Sequence, residues 1–206
     1  MPLKNWSLPT KFLHLGLVAT VSAQLFISLV MDEPDEIESA LGSALFEAHE
    51  IIGLTALAIV LMHWIWAAFN QADGGLKHLF PWGRQGRQQV KNDVNDLLEF
   101  KLPEGGARGG LPGLIHGLGL LAVTGIALTG GMLFLLYPEV GEPGVLVEGF
   151  EELHEGFATL VWTYWFAHGG IAILHHLAGH DYVKKMFTFS GKKSQQHVAQ
   201  SVEAHK

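Results

Sequence analysis

The chain has no cysteine. That excludes disulfides, thiolate metal ligands, iron–sulfur clusters and covalent c-type haem attachment, which requires a C-x-x-C-H run. Charge is scarce too, with Asp, Glu, Lys and Arg at 16% against 49% apolar residues. Four stretches, 12–31, 51–69, 111–137 and 157–174, contain none of these four residue types. A third absence is one-sided: residues 32–50 and 138–155 hold no Lys or Arg at all.

Each uncharged stretch is long enough to cross a bilayer core of about 30 Å. Histidine is the only residue inside them that titrates near neutral pH, as His14, His63, His116 and His168. Helices buried in soluble proteins rarely stay uncharged for so long four times over. The expected fold is therefore all-α, an integral membrane four-helix bundle forming one domain over residues 1–206. Lys4 and Lys11 precede an apolar run through Val21-Ser22-Ala23, as in a secretory signal. The run continues to Met31, which favours a retained span. Membrane lipid is the expected surrounding and nucleic acid is not an expected partner.

Charge orients the bundle. All 13 Lys and Arg lie at the N-terminus, in the loop 70–110 or after Gly179, while 32–50 and 138–155 carry 13 of the 20 acids. Lys and Arg mark the cytoplasmic side, so both termini are expected inside. The outer face then holds −13 and the inner face 13 − 7 = +6, which sum to the net −7. The Gly/Pro-rich loop 74–108 is expected to be partly ordered at most, with a short helix over 88–100. Residues 182–206 read as an interfacial segment followed by a polar tail, with Lys184 and Lys185 at the headgroups.

His154 and His168 sit fourteen residues apart, and His49 and His63 repeat that spacing. Fourteen helical residues rise roughly 21 Å in about 3.9 turns, so each pair shares one face of its helix. The alternating topology puts His49 and His154 at an outer level. It puts His14, His63, His116 and His168 at an inner one. Buried imidazoles in a membrane are a functional-site hypothesis by default. A b-type haem needs one histidine from each of two facing helices, and bundles build such sites from inward-projecting side chains. Zinc would need more ligands and second-shell acids, which the spans lack. Gly53, one turn after His49, would let a flat macrocycle pack closely, as would Gly169 and Gly170 after His168. The outer ligands are expected to be His49 with His154. At the inner level His168 is the anchor, with its partner open between His14, His63 and His116.

With these residues in view, the chain resembles the bacterial cytochrome b561 family, which includes the b-type subunits of nickel–iron hydrogenases. The resemblance rests on Leu8-Pro-Thr-Lys-Phe-Leu-His14, on His49-Glu-Ile-Ile-Gly53, and on His154 with His168. It extends to His175-His176 and to Asp181-Tyr-Val-Lys-Lys-Met-Phe187. It implies two non-covalent b haems, ligated by His49 with His154 and by His14 with His168. His63 stands where the family usually has an Arg, and His116 where the third span usually lacks His. His63 is thus an alternative ligand or a propionate contact, since two histidines at this spacing on parallel helices also resemble the cytochrome b of quinol–cytochrome c oxidoreductases. His116, His175 and His176 are the quinone-site candidates.

The expected function is electron transfer across the bacterial inner membrane, between ubiquinone or menaquinone and a periplasmic redox partner. The acidic outer face favours a basic carrier such as a c-type cytochrome. The protein would act as a stand-alone quinone oxidoreductase or as the cytochrome b subunit of a larger complex. A superoxide-to-quinone oxidoreductase is the alternative within the family. A histidine-lined metal or proton transporter is the alternative of another class. His78, His180, His197 and His205 read as ordinary surface groups, and Trp64, Trp66, Trp162 and Trp165 as packing and interface residues.

Overall fold

Long uncharged runs leave the backbone one way to satisfy its polar groups in lipid, the α-helix. The computed structural model describes residues 6–32, 37, 39–70, 73, 75–103, 105, 108–138 and 143–189. Its elements are α1 (Leu8–Ile27), α2 (Ala40–Phe69), α3 (Gly75–Leu79), α4 (Arg84–Leu98), α5 (Leu111–Leu136), α6 (Val145–Leu177) and α7 (Tyr182–Phe187). No strand occurs among the described residues. Four helices, α1, α2, α5 and α6, are long and apolar enough to cross a membrane. The protein is an all-α membrane bundle. The tail from residue 190 onward, with His197 and His205, lies outside the described residues, as does Lys4.

The bundle is arranged as a chain of neighbours. α1 packs on α2, α2 on α5 and α5 on α6, whereas α6 has few or no close backbone approaches to α1 and α2. The side holding the start of α1 together with α3, α4 and α7 is called here the basic end, and the opposite side the acidic end. A small core of Leu25, Val60, Ala67, Leu120, Val123 and Val161 ties the helices together. Large apolar side chains such as Phe12, Leu135 and Leu177 face outward, as expected where the solvent is lipid. Three indole N–H groups donate between helices, from Trp64 to Thr124 (2.8 Å), Trp66 to Thr10 (2.9 Å) and Trp165 to Ser22 (2.9 Å). A buried indole N–H needs such a partner.

The loop between α2 and α5 is more ordered than its Gly/Pro content suggests. α4 begins at Arg84 and ends at Leu98, where the sequence reading had 88–100. Asp93 on α4 is buried and takes Arg108 at 2.9 Å, and its other oxygen accepts the Leu111 N–H at 2.9 Å. That second bond caps α5, whose preceding Gly110 has φ +79°. α3 is seated by two glycines of α5. A side-chain carbon at Gly113 would run into the His78 carbonyl, and one at Gly117 into the Leu79 carbonyl. Small residues four apart let another backbone approach this closely.

Candidate functional site

α6 carries His154 near the acidic end and His168 nearer the basic end. Each faces one histidine from the first two helices across the weakly packed side of the bundle. The His49 and His154 ring centres are 6.3 Å apart, and so are those of His14 and His168. Two metal–nitrogen bonds of about 2 Å, plus the distance from each nitrogen to its own ring centre, account for that separation. His116 lies closer to His168, at 5.2 Å between centres, which is 1.1 Å short of the 6.3 Å seen in the two pairs. His63 lines a cavity with Trp6, Thr10, Asn70, Asp73 and His78 instead. The structure thus brings together His14 with His168 and His49 with His154.

The polar bookkeeping fits a bound ion in each pair. His14 and His49 each keep a buried Nδ1 with no hydrogen-bond partner among the described residues. Burying an imidazole nitrogen unpaired is costly. His154 is oriented differently, with its Nδ1 3.1 Å from the Thr129 hydroxyl, which in turn donates to the Gly125 and Ile126 carbonyls. A hydrogen bond of this kind holds a ligating histidine's ring orientation and tautomer. Gly130 brings α5 against the same ring, since a side-chain carbon there would sit 2.9 Å from His154 Cε1. Along α6, Gly156, Gly169 and Gly170 meet nothing within 4 Å. No group of three or more His, Asp or Glu among the described residues is arranged to hold a bare metal ion. The donor set suits haem, whose macrocycle supplies the other ligands.

Gly53 does not open onto that gap. A side-chain carbon there would lie 2.6 Å from Gln24 Nε2, and the same amide donates to the His49 carbonyl at 2.7 Å. Gly53 thus admits the Gln24 side chain, which holds α1 against α2 next to His49. Tyr164, four residues before His168, stacks on its ring at 5.2 Å and 10°. Gly119 makes the room for it. Sequence reasoning missed both Gln24 and Tyr164. The one-turn spacing of Tyr164 from His168 was the signal for the second, and nothing local marked the first.

At the basic end His175 is buried and His176 exposed, so the two adjacent residues face different surroundings. His175 Nδ1 lies 3.2 Å from His180 Nδ1, and both rings touch Tyr182. α7 then turns under the bundle. Phe187 lies against His14 at 6.0 Å, Phe189 stacks on Phe12 at 4.9 Å, and Lys11 donates to the Thr188 carbonyl at 2.8 Å.

The largest departure from the sequence reading is His78. It was expected at the surface, but it is 7% exposed. It meets Trp6 edge-on at 5.3 Å and lies parallel to His116 at 6.5 Å and 20°. Beside it, Asp73 accepts from Ser7 N–H (3.1 Å), Ser7 Oγ (2.5 Å), Thr10 Oγ1 (2.6 Å) and Asn70 Nδ2 (2.8 Å). Burial alone would push the Asp73 carboxyl up. The bonds from Ser7, Thr10 and Asn70 together outweigh it and hold the group below the usual carboxylate value. Burial pushes the His78 imidazole down, with Asp73 opposing.

Residues 5–189 match the prokaryotic cytochrome b561 family. No curated protein and no solved structure matches the chain.

Proposed function

Because the chain belongs to the prokaryotic cytochrome b561 family, and so is a haem-b-binding membrane protein of electron transfer, we propose that it carries two b haems and passes electrons across the membrane. One haem is held by His49 and His154, the other by His14 and His168. The observation that carries this reading is the repeated 6.3 Å separation of the two pairs, both drawn from α6 and both spanning its open side. Haem b, held there by His14 with His168 and His49 with His154, would supply a one-electron iron couple. The chain's own part is to fix ring orientation through Thr129 at one pair and Tyr164 stacking at the other. It also excludes water with Trp162, Trp165 and Phe26, which contact one another at the rim.

Quinone is the partner assigned to the basic end. His175 is buried there, His116 half-buried and His176 exposed, so His175 and His176 offer a titratable group from inside the bundle and one from its surface. His63 remains available as a polar contact from the cavity. At the opposite end, the acids of 32–50 and 138–155 favour a cationic redox protein over superoxide, since a negative surface repels an anion.

Visible spectroscopy of the detergent-purified protein with a haem-to-protein ratio tests the reading. Two haems per chain and a b-type reduced spectrum are expected, and His14→Ala or His154→Ala should each leave one. His116→Ala should keep both. A colourless protein, or a His14→Ala variant with an unchanged ratio, would refute the assignment.

A further inference from the structure

Three imidazoles, the buried His78 and the half-buried His63 and His116, belong to neither 6.3 Å pair. His78 and His63 border one partly open cavity of about 40 Å³ at the basic end, together with Trp6, Thr10, Asn70 and Asp73. A water needs about 10–15 Å³ of such space and two or more polar partners, so the cavity has room for more than one. Of these three residues, His78 has Nε2, and His63 and His116 have Nδ1, without a partner among the described residues; the nitrogens of His78 and His63 belong to the cavity's lining residues. The cavity wall is largely apolar, and Thr10, His63, Asn70, Asp73 and His78 are the polar residues that line it. His78 also looks the other way. Its ring lies parallel to His116 at 6.5 Å, and His116 meets His168 at 5.2 Å. The residue therefore stands between the cavity and the His14–His168 pair, without a ring contact to either member of that pair.

We propose that His78 is the proton acceptor coupled to the redox centre at the basic end. As one electron reaches the centre held by His14 and His168, one proton enters from bulk solvent through the partly open cavity and binds His78 Nε2, so the added charges cancel. On reoxidation the proton leaves to bulk solvent by the same route. The proposal rests on the two-haem reading above.

The surroundings suit a group poised between its two forms. Burial disfavours the imidazolium, while the Asp73 carboxylate favours it. Asp73 is already saturated by four hydrogen bonds and stays ionised as a fixed charge. The other titratable groups facing His78 are His63 from α2 and His116 from α5; Trp6 is uncharged. Histidine is the side chain whose charge small shifts move across neutral pH. An electron arriving two rings away adds a negative charge in a low-dielectric interior, which raises the affinity for a proton.

The test is an equilibrium redox titration of the haem-loaded full chain between about pH 5 and 8. In the wild type, one centre's midpoint potential should fall by up to about 59 mV for each tenfold drop in proton concentration. His78→Gln should flatten that slope while keeping the b-type spectrum and the haem ratio. A pH-independent wild type, or an unchanged slope in His78→Gln, overturns the proposal. If His78→Gln loses haem, redox-difference infrared spectra of the wild type with isotope-labelled histidine rings decide. Imidazole bands must give way to imidazolium bands on reduction, and their absence overturns it. A wild type with no b-type spectrum would refute the haem reading itself, which is a separate outcome.

Discussion

His154 differs from the other three paired histidines in having a hydroxyl of its own. Thr129 Oγ1 sits 3.1 Å from its Nδ1, and removing an orienting partner of a metal-bound histidine typically costs 10- to 100-fold in affinity. Thr129→Val should therefore weaken haem retention at the His49–His154 pair by roughly that factor, with Thr129→Ser close to wild type, as read by haem titration of the stripped protein. Asp73 makes a stability prediction instead. Its carboxyl is held below the ordinary value of 3.8, so its contribution is complete above that value and is lost as pH falls through the depressed one. Asp73→Ala strands buried donors at the start of α1 and should cost about 1–3 kcal/mol at neutral pH, with the deficit shrinking in acid; thermal unfolding in detergent at two pH values measures both. The four paired histidines were visible in sequence because His14 and His168 are lone histidines in uncharged runs and His49 and His154 stand fourteen residues before a second histidine on the same helix. His78 was not, because it lies among glycines and a proline where no periodicity marks an inside face. The mark was on another helix, in Gly113 and Gly117.

Those two glycines set the fate of α3. A Val at 117 would push into the Leu79 carbonyl, and overpacking of this kind costs about 1–3 kcal/mol. Gly117→Val should lower the unfolding midpoint and make the segment 75–79 more sensitive to protease, whereas substitution at Gly144, which meets nothing within 4 Å, should do neither. The four long helices were legible because uncharged runs leave few alternatives in lipid. Their acidic-end extensions were less so. α2 begins at Ala40 and α6 at Val145, well ahead of the uncharged stretches starting at 51 and 157. Hydropathy stops where acids begin, but a helix does not, and Ser39 accepting the Gly42 N–H at 2.9 Å shows where α2 is capped. α4 and its Asp93 clamp to α5 depended on a long-range pairing that no local pattern announces.

Charge is separated over the whole molecule. Residues 32–50 and 138–155 hold 13 acids and no Lys or Arg, so long-range attraction should speed encounter with a cationic carrier and fade as salt shortens the screening length to about 8 Å near physiological strength. Stopped-flow electron exchange with a basic c-type cytochrome should slow as salt rises, and replacing Glu151 and Glu152 by Gln should reduce both the rate and its salt sensitivity. Salt-independent rates would remove the steering argument. In the proposed two-haem arrangement, the sharing of α6 also sets the timing of assembly. His14 and His49 are in place once the first hairpin is inserted, but both of their partners wait for a helix that starts 145 − 69 = 76 residues after α2 ends. At roughly 5–20 residues per second, the first hairpin spends seconds in the membrane with two half-sites open. Cofactor capture is thereby deferred until the fourth helix arrives, and then both centres become available together, which makes maturation a single late event.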